Sequence, residues 1–273
     1  KQRFYIDLSL INMKKTENSI FSCCYQDCVE DLLFRVSIFF NRYPEVLRPI
    51  NGQNEAMSEL FSSNNFELYP TKRKTTVFYD KETDIFIKLL HPIRFKEKIR
   101  FKFINIPEKI CLLSEDLKKI DIKVPEILAY GKVKNIIPFI FMKKMAGSQL
   151  KTILIREKRK VSIDLYFDVI KNVADLHKAG YWFRDLHLAQ IFVNDSKVSG
   201  FIDIDNIRKN FFFRIRHRAK DLSGLNHPEL DISSEEKKEL LEYYMRISNI
   251  SDKIRFRSYV NKYSYLRWKE FSK

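Results

Sequence analysis

The sequence predicts an α+β fold, a small β-rich N-terminal lobe followed by a mainly helical C-terminal lobe. Three observations predict it. Short β-rich runs dominate between about residues 75 and 143, broken by one helical stretch. From Ala146 onward the apolar residues recur at helical spacing. The chain has 273 residues, 45% hydrophobic and 31% charged, a globular composition long enough to bury a core.

Residues 1–65 read as a mixed N-terminal extension. Within it Cys28–Asn41 is a candidate helix, with Leu32, Leu33, Val36, Phe39 and Phe40 on one side. The polar stretch SSNNFELYPTKRK follows as a loop. Residues 66–145 form the predicted N-lobe. Thr75–Tyr79 and Ile85–Leu90 flank the polar turn Asp80–Asp84, a hairpin signal, and Lys88 falls inside the second run. Pro107–Lys119 reads as a helix, and IKVPEILAYGKV and IIPFIFMKKM as two more strands. Residues 146–273 form the predicted C-lobe. SIDLYFDVIKNVADLHKAG is a helix with Ser162 as N-cap and Gly180 closing its C-terminus. Two short apolar runs follow, Ile191–Val193 and Gly200–Ile204, joined by the turn Asn194–Lys197. The remainder is helical and basic, with a capping box from Ser233 to Glu236.

Composition excludes several chemistries. The six glycines (52, 131, 147, 180, 200 and 224) are too far apart for a Walker A loop, a GxGxxG turn or a GxSxG elbow. No two of the five histidines lie four apart, which removes an HExxH zinc helix. Cys23, Cys24, Cys28 and Cys111 contain no CxxC pair and read as reduced thiols of a cytosolic protein. No apolar run reaches the ~18 residues of a membrane span, and no signal peptide opens the chain, so a soluble or peripheral protein is expected. The net charge of +15 calls for an anionic partner: nucleic acid, an anionic membrane or a phosphorylated substrate. A Lys-, Ile- and Phe-rich genome would give the same balance.

Three charged residues sit where charge is costly unless paired or metal-bound. Lys88 lies in IFIKLL, Asp185 in FRDLHLAQ, and Asp203 in FIDID, 18 residues beyond Asp185. A strand lysine, then a helix, RDL, a hairpin and a strand-end aspartate is the order of the protein-kinase signature: V-A-I-K, H-R-D-L-x-x-x-N and D-F-G. Phe183 takes the His position and Gln190 the Asn position. No glycine between Gly52 and Gly131 could build a Gly-rich loop.

The sequence resembles one branch of that superfamily, the bacterial kinases that phosphorylate heptose or Kdo sugars of the lipopolysaccharide core. The resemblance spans about residues 66–260. It rests on KRKTT at 72–76, Lys88, VPEILAYG at 124–131, RDLH at 184–187, Asp203 with Asp205, and RIRHRAKDLSGL at 214–225. It implies a protein-kinase-like two-lobe fold and transfer of phosphate from ATP, with Mg²⁺, to an alcohol of the sugar. Lys88 would hold the α/β-phosphates, and Glu108, with Glu115 as rival, would pair with it. Asp185 would accept or orient the sugar hydroxyl. Asp203 would ligate Mg²⁺, with Gln190 in the place of a second metal ligand and counted with Lys88 and Asp185 in the catalytic set. The backbone of Met142–Met145, where the lobes would join, would meet the adenine.

Arg208, Arg214, Arg216 and Arg218 would face an anionic core-sugar or lipopolysaccharide acceptor or an anionic membrane, or else form a solvated face. Arg73, Lys74, Thr75 and Thr76 could approach phosphate from the first strands. The implied partners are ATP and the acceptor, without nucleic acid. The implied location is the cytoplasm or the inner face of the cytoplasmic membrane. A catalytically inactive kinase-like protein and a protein-directed kinase are the alternatives.

Overall fold

The computed structural model describes residues 13–52, 54–71, 74–210 and 215–271. The chain divides into two compact units. The first comprises Lys1–Ser114 and Glu126–Lys144, the second Glu115–Pro125 and Met145–Lys273.

The first unit is built on one seven-stranded sheet. Its strands are β1 (Lys14–Glu17), β2 (Phe21–Tyr25), β3 (Phe66–Tyr69), β4 (Thr75–Asp80), β5 (Ile85–Leu90), β6 (Ile127–Val133) and β7 (Ile137–Lys143). All neighbours are antiparallel, in the order β1-β2-β6-β7-β5-β4-β3. The hairpin expected at Thr75–Leu90 is present as β4 and β5. Residues 14–69, expected as an extension and a loop, supply three strands to this same sheet.

Side-chain alternation separates the two faces of the sheet. Phe78, Ile87, Phe141, Ala129 and Tyr25 form one cross-strand row. Two helices cover this face: α1 (Glu30–Arg42) and α2 (Glu55–Ser62). Phe39, Phe40 and Phe61 from these helices bring their rings within 5.0–6.4 Å of Phe78, an arrangement that buries large apolar area per residue. Arg35 of α1 grips the buried Asp80 with both terminal nitrogens, at 3.0 and 2.8 Å. Gly131 lets β2 approach β6, since a Cβ there would lie 2.3 Å from Ser22 O.

The adjacent row, Val77, Lys88, Ile140, Tyr130 and Cys24, points to the opposite face. Two further helices belong to the intervening chain: α3 (Phe95–Phe103), which sequence periodicity did not reveal, and α4 (Ile106–Lys119), expected from Pro107.

The second unit is helical, with two small sheets. Its helices are α5 (Ile163–Lys178), α6 (Ile215–Leu225), α7 (Ser234–Ile247) and α8 (Lys253–Trp268). Strands β8 (Ser148–Gln149), β10 (Ile191–Asn194) and β11 (Lys197–Phe201) form one sheet, and β9 (Tyr181–Trp182) pairs with β12 (Arg208–Lys209) in the other. Gly180 ends α5 at φ +82°, as expected of a residue closing a helix. Ser162 precedes α5 in extended conformation, but its side chain makes no capping hydrogen bond. The Ser233–Glu236 capping box is present at the start of α7, with both hydrogen bonds made, at 2.7 and 3.1 Å. The β-rich N-terminal part and helical C-terminal part predicted from the sequence are therefore both present.

Candidate active site

In the first unit, Lys88 sits on β5 with β4 on one side and β7 on the other, and only 6% of it is exposed. The sheet fixes the place of its backbone. Glu108 lies in the first turn of α4, near Tyr130 of the same cross-strand row. Burial, with the Cys24 thiol beside it and the Cys111 and Glu108 groups further off, pushes the Tyr130 hydroxyl well up. Glu115, the rival partner for Lys88, forms an ion pair with Lys118 one turn on, at 2.8 Å. Met142 pairs with Phe86 and Ile127 in the sheet. The chain passes to the second unit at Met145, whose Sδ-methyl carbon packs against Gly200; a Cβ on Gly200 would lie 2.3 Å from it.

The segment FRDLHLAQ is held from below by one buried carboxylate. Asp221 of α6 accepts the backbone N–H of Phe183 at 2.7 Å and faces His177 Nε2 at 3.2 Å. His177 Nδ1 lies 2.7 Å from the Tyr244 hydroxyl. Burial lowers the His177 pKa against the opposing pull of Asp221, so the ring is neutral. The network then assigns the tautomer: Nε2–H donates to Asp221, and Nδ1 accepts from Tyr244. Phe183, in the His position of the signature, is wholly buried against Phe201, with ring centroids 5.3 Å apart. Apolar packing thus anchors the loop at that point.

Above this anchor the backbone turns sharply. Arg184 has φ +68° and Asp203 φ +56°, left-handed conformations that cost energy in residues with a side chain. Asp203 follows β11 by two residues and opens a short helical turn. The β10–β11 hairpin beneath it is fixed from α5, where Asp168 accepts the Val198 N–H at 2.7 Å. Ile202 N–H donates to Gln190 O at 2.8 Å, tying the Asp203 turn to the end of the RDLH loop. Gln190 is buried, and its side-chain Oε1 accepts the His187 N–H at 3.1 Å.

His187 lies within the electrostatic reach of both carboxylates. Its burial lowers its pKa, Asp185 and Asp203 pull it up, and Arg267 and Lys151 push it down again. Asp185 and Asp203 thus both act electrostatically on His187, and Gln190 accepts its backbone N–H, all within the second unit.

Sequence reasoning missed two residues here. Asp221 lies within RIRHRAKDLSGL, where no local pattern sets it apart from its charged neighbours. Arg267 of α8 donates from Nη2 to Asp185 Oδ1. Its side chain is 19% exposed, whereas that of Asp185 is 71% exposed. Gly224 makes room for this guanidinium, because a Cβ there would lie 2.3 Å from Nη1. The neighbouring Trp268 pins the helix end by donating Nε1–H to Ser223 O at 3.1 Å. No local pattern in YLRWKE marks Arg267.

The arginines expected at an acceptor are dispersed. Arg208 Nη1 donates to the backbone oxygens of Asp205 and Ile207 at 2.6 and 2.7 Å. Arg218 donates to Ser248 O at 3.1 Å, and His217 stacks on Trp182 at 4.3 Å. Arg216 and Lys220 are exposed. Arg214, Arg73 and Phe211–Phe213 lie outside the described residues. Thr76 is buried, with its hydroxyl 2.9 Å from His91 Nε2. Lys74 forms an ion pair with Glu97 at 2.9 Å.

No curated protein matches the chain. Among solved structures, the bifunctional kinase-methyltransferase WbdD is similar at 14% identity and a TM-score of 0.48, over 70% of this chain and 47% of that one. A structure of monomeric WbdD is similar at 18% identity and a TM-score of 0.47, over 70% of this chain and 45% of that one. The chain thus spans less than half the length of these solved chains. The model of the lipopolysaccharide kinase (Kdo/WaaP) family matches residues 109–244, the stretch that contains α5, the RDLH loop, Asp203 and Asp221.

Proposed function

We propose that the chain is an ATP- and Mg²⁺-dependent kinase that phosphorylates a heptose or Kdo sugar of the lipopolysaccharide inner core, at the cytoplasmic face of the membrane. The observation that carries this reading is the RDLH loop tied to the Asp203 turn, through the Ile202 N–H to Gln190 O hydrogen bond, in the segment that matches the family. Phosphoryl transfer needs alignment and charge neutralisation more than covalent chemistry. Asp185 orients the sugar hydroxyl and takes its proton. Lys88 holds the ATP phosphates with Glu108 as its partner, and the Met142–Met145 backbone meets the adenine. Arg216, exposed on α6, meets the anionic acceptor.

A cation suits the donor set present. Among the described residues no three His, Cys, Asp or Glu side chains cluster. So sparse a donor set fits Mg²⁺, which is held by one or two protein groups together with substrate phosphates and water. Asp203 would be the anchor and Gln190 the second ligand. The metal would neutralise charge on the transferred phosphate.

The test is phosphate transfer from ATP to deacylated inner-core oligosaccharide, followed by mass spectrometry, with and without Mg²⁺. Transfer is expected, and Asp185→Ala should lower it by roughly 10²–10⁴-fold, the usual worth of a positioned base. The buried Phe183 and the engaged Gln190 amide favour a second reading, a kinase-like protein that binds nucleotide without turnover. Nucleotide binding with no transfer to sugar or protein would select it.

A further inference from the structure

Helix α3 buries none of its nine residues. So short a helix is marginal in water without tertiary packing. Its sequence, FKEKIRFKF, places Phe95, Ile99 and Phe103 four residues apart on one stripe about 80° wide. These three side chains are 76%, 44% and 78% exposed, and Ile93, just before the helix, is 38% exposed. Helical spacing puts Lys98 and Lys102 on one shoulder of the stripe and Lys96 and Arg100 on the other, all of them exposed. Glu97, the single acidic residue of α3, is turned to the opposite side. Its carboxylate accepts the Arg94 N–H at 3.0 Å and pairs with Lys74 at 2.9 Å, and these contacts hold it below the usual carboxylate range. Glu97 thereby fixes the rotation of the helix, with the apolar stripe outward.

We propose that α3 is an interfacial helix that docks the protein on an anionic phospholipid bilayer. An apolar ridge flanked on both sides by cations matches a plane of phosphates above acyl chains. The aromatic and aliphatic tips enter the headgroup boundary, and the lysine and arginine stems reach up to the phosphates. The surface lies outside the kinase chemistry, so vesicle binding tests it without any turnover.

The experiment is co-sedimentation of the full chain with vesicles of phosphatidylcholine containing about one third phosphatidylglycerol. The unsubstituted protein should bind, and added salt should weaken binding. Phe95→Ser with Phe103→Ser should reduce partitioning at least about tenfold, and Lys98→Gln with Lys102→Gln should reduce it on anionic vesicles. Vesicles of phosphatidylcholine alone should bind weakly. Because α3 buries nothing, the serine variant should keep its Tm. Ile99→Lys gives the same readout should that variant fail to fold. Failure of the unsubstituted protein to bind anionic vesicles would overturn the proposal. So would unchanged binding by both stripe variants. Self-association abolished by the stripe variants, with no vesicle binding, would assign the face to a second copy of the chain and equally overturn it.

Discussion

The backbone of Lys88 and the loop that carries Asp185 are held by opposite means. Lys88 is embedded in β5, bonded on both sides by neighbouring strands and 6% exposed. Its position is the sum of a whole sheet. Asp185 stands on a loop, with its side chain 71% exposed. Two contacts from remote parts of the chain restrain it: Asp221 on the Phe183 N–H and Arg267 on the carboxylate itself. A strand site distributes its support over many weak contacts, whereas a loop site concentrates it in a few side chains that single substitutions can remove.

Asp221→Ala is the strongest way to break that contrast. It takes the carboxylate acceptor from the Phe183 N–H and from the His177 ring at a wholly buried position, which should cost roughly 3–5 kcal/mol in urea unfolding. Asp221→Asn keeps an acceptor oxygen and should recover part of the loss. A cost under about 1 kcal/mol would show that the loop does not lean on this distant carboxylate.

Arg267→Ala should have a smaller effect and show it in rate. The Arg267–Asp185 pair is largely exposed on its carboxylate side, so stability should change little. Loss of the restraint on Asp185 should lower kcat about tenfold, equivalent to ~1.4 kcal/mol, with the KM for ATP unchanged. Arg267→Lys should restore part of the rate. If kcat does not move, Asp185 needs no remote holder, and its difference from Lys88 narrows to exposure alone.

The third test concerns the strand side and needs no substitution to show itself. His91, three residues beyond Lys88, is buried against Thr76, and burial lowers its pKa from 6.5 to about 4. Within that window the folded state binds fewer protons than the unfolded chain. Stability should therefore fall as pH drops from about 6.5 towards 4, by at most ~1.4 kcal/mol per pH unit. His91→Gln should flatten that slope in urea titrations between those limits. An unchanged slope would show that His91 does not titrate on unfolding and that the start of the β4–β5 ladder is indifferent to acid.

Local patterns carried much of this architecture. The Lys88 hairpin, the Gly180-terminated α5 and the Ser233 capping box were legible because each is set by residues close in sequence. The helix expected at Cys28–Asn41 is α1, Glu30–Arg42; a short turn, Asp27–Val29, takes the expected first two residues, and the helix runs one residue further at its end. The pairing of β2 with β6 was not legible, because Tyr25 meets Ala129 across more than a hundred residues and no turn sets the register. Helix α3 escaped because its apolar stripe faces outward and is diluted by five basic or acidic residues within nine. In the site, RDLH and IDID were recognisable as motifs. Asp221 and Arg267 act at sequence separations of 38 and 82 residues, where spacing carries no information.

The same long-range pairing has a consequence for synthesis. Strand β2 leaves the ribosome about a hundred residues before β6, its partner on the inner side of the sheet. Until then the aromatic face that Phe39, Phe40 and Phe61 share with Phe78 has no β7 to complete it, and Phe139 and Phe141 are still missing from the core. A nascent chain of this protein therefore carries an open, phenylalanine-rich surface through much of translation. Folding of the first unit must wait for the return of the chain at residues 127–143, which makes it slow by topology and dependent on protection from aggregation while it is being made.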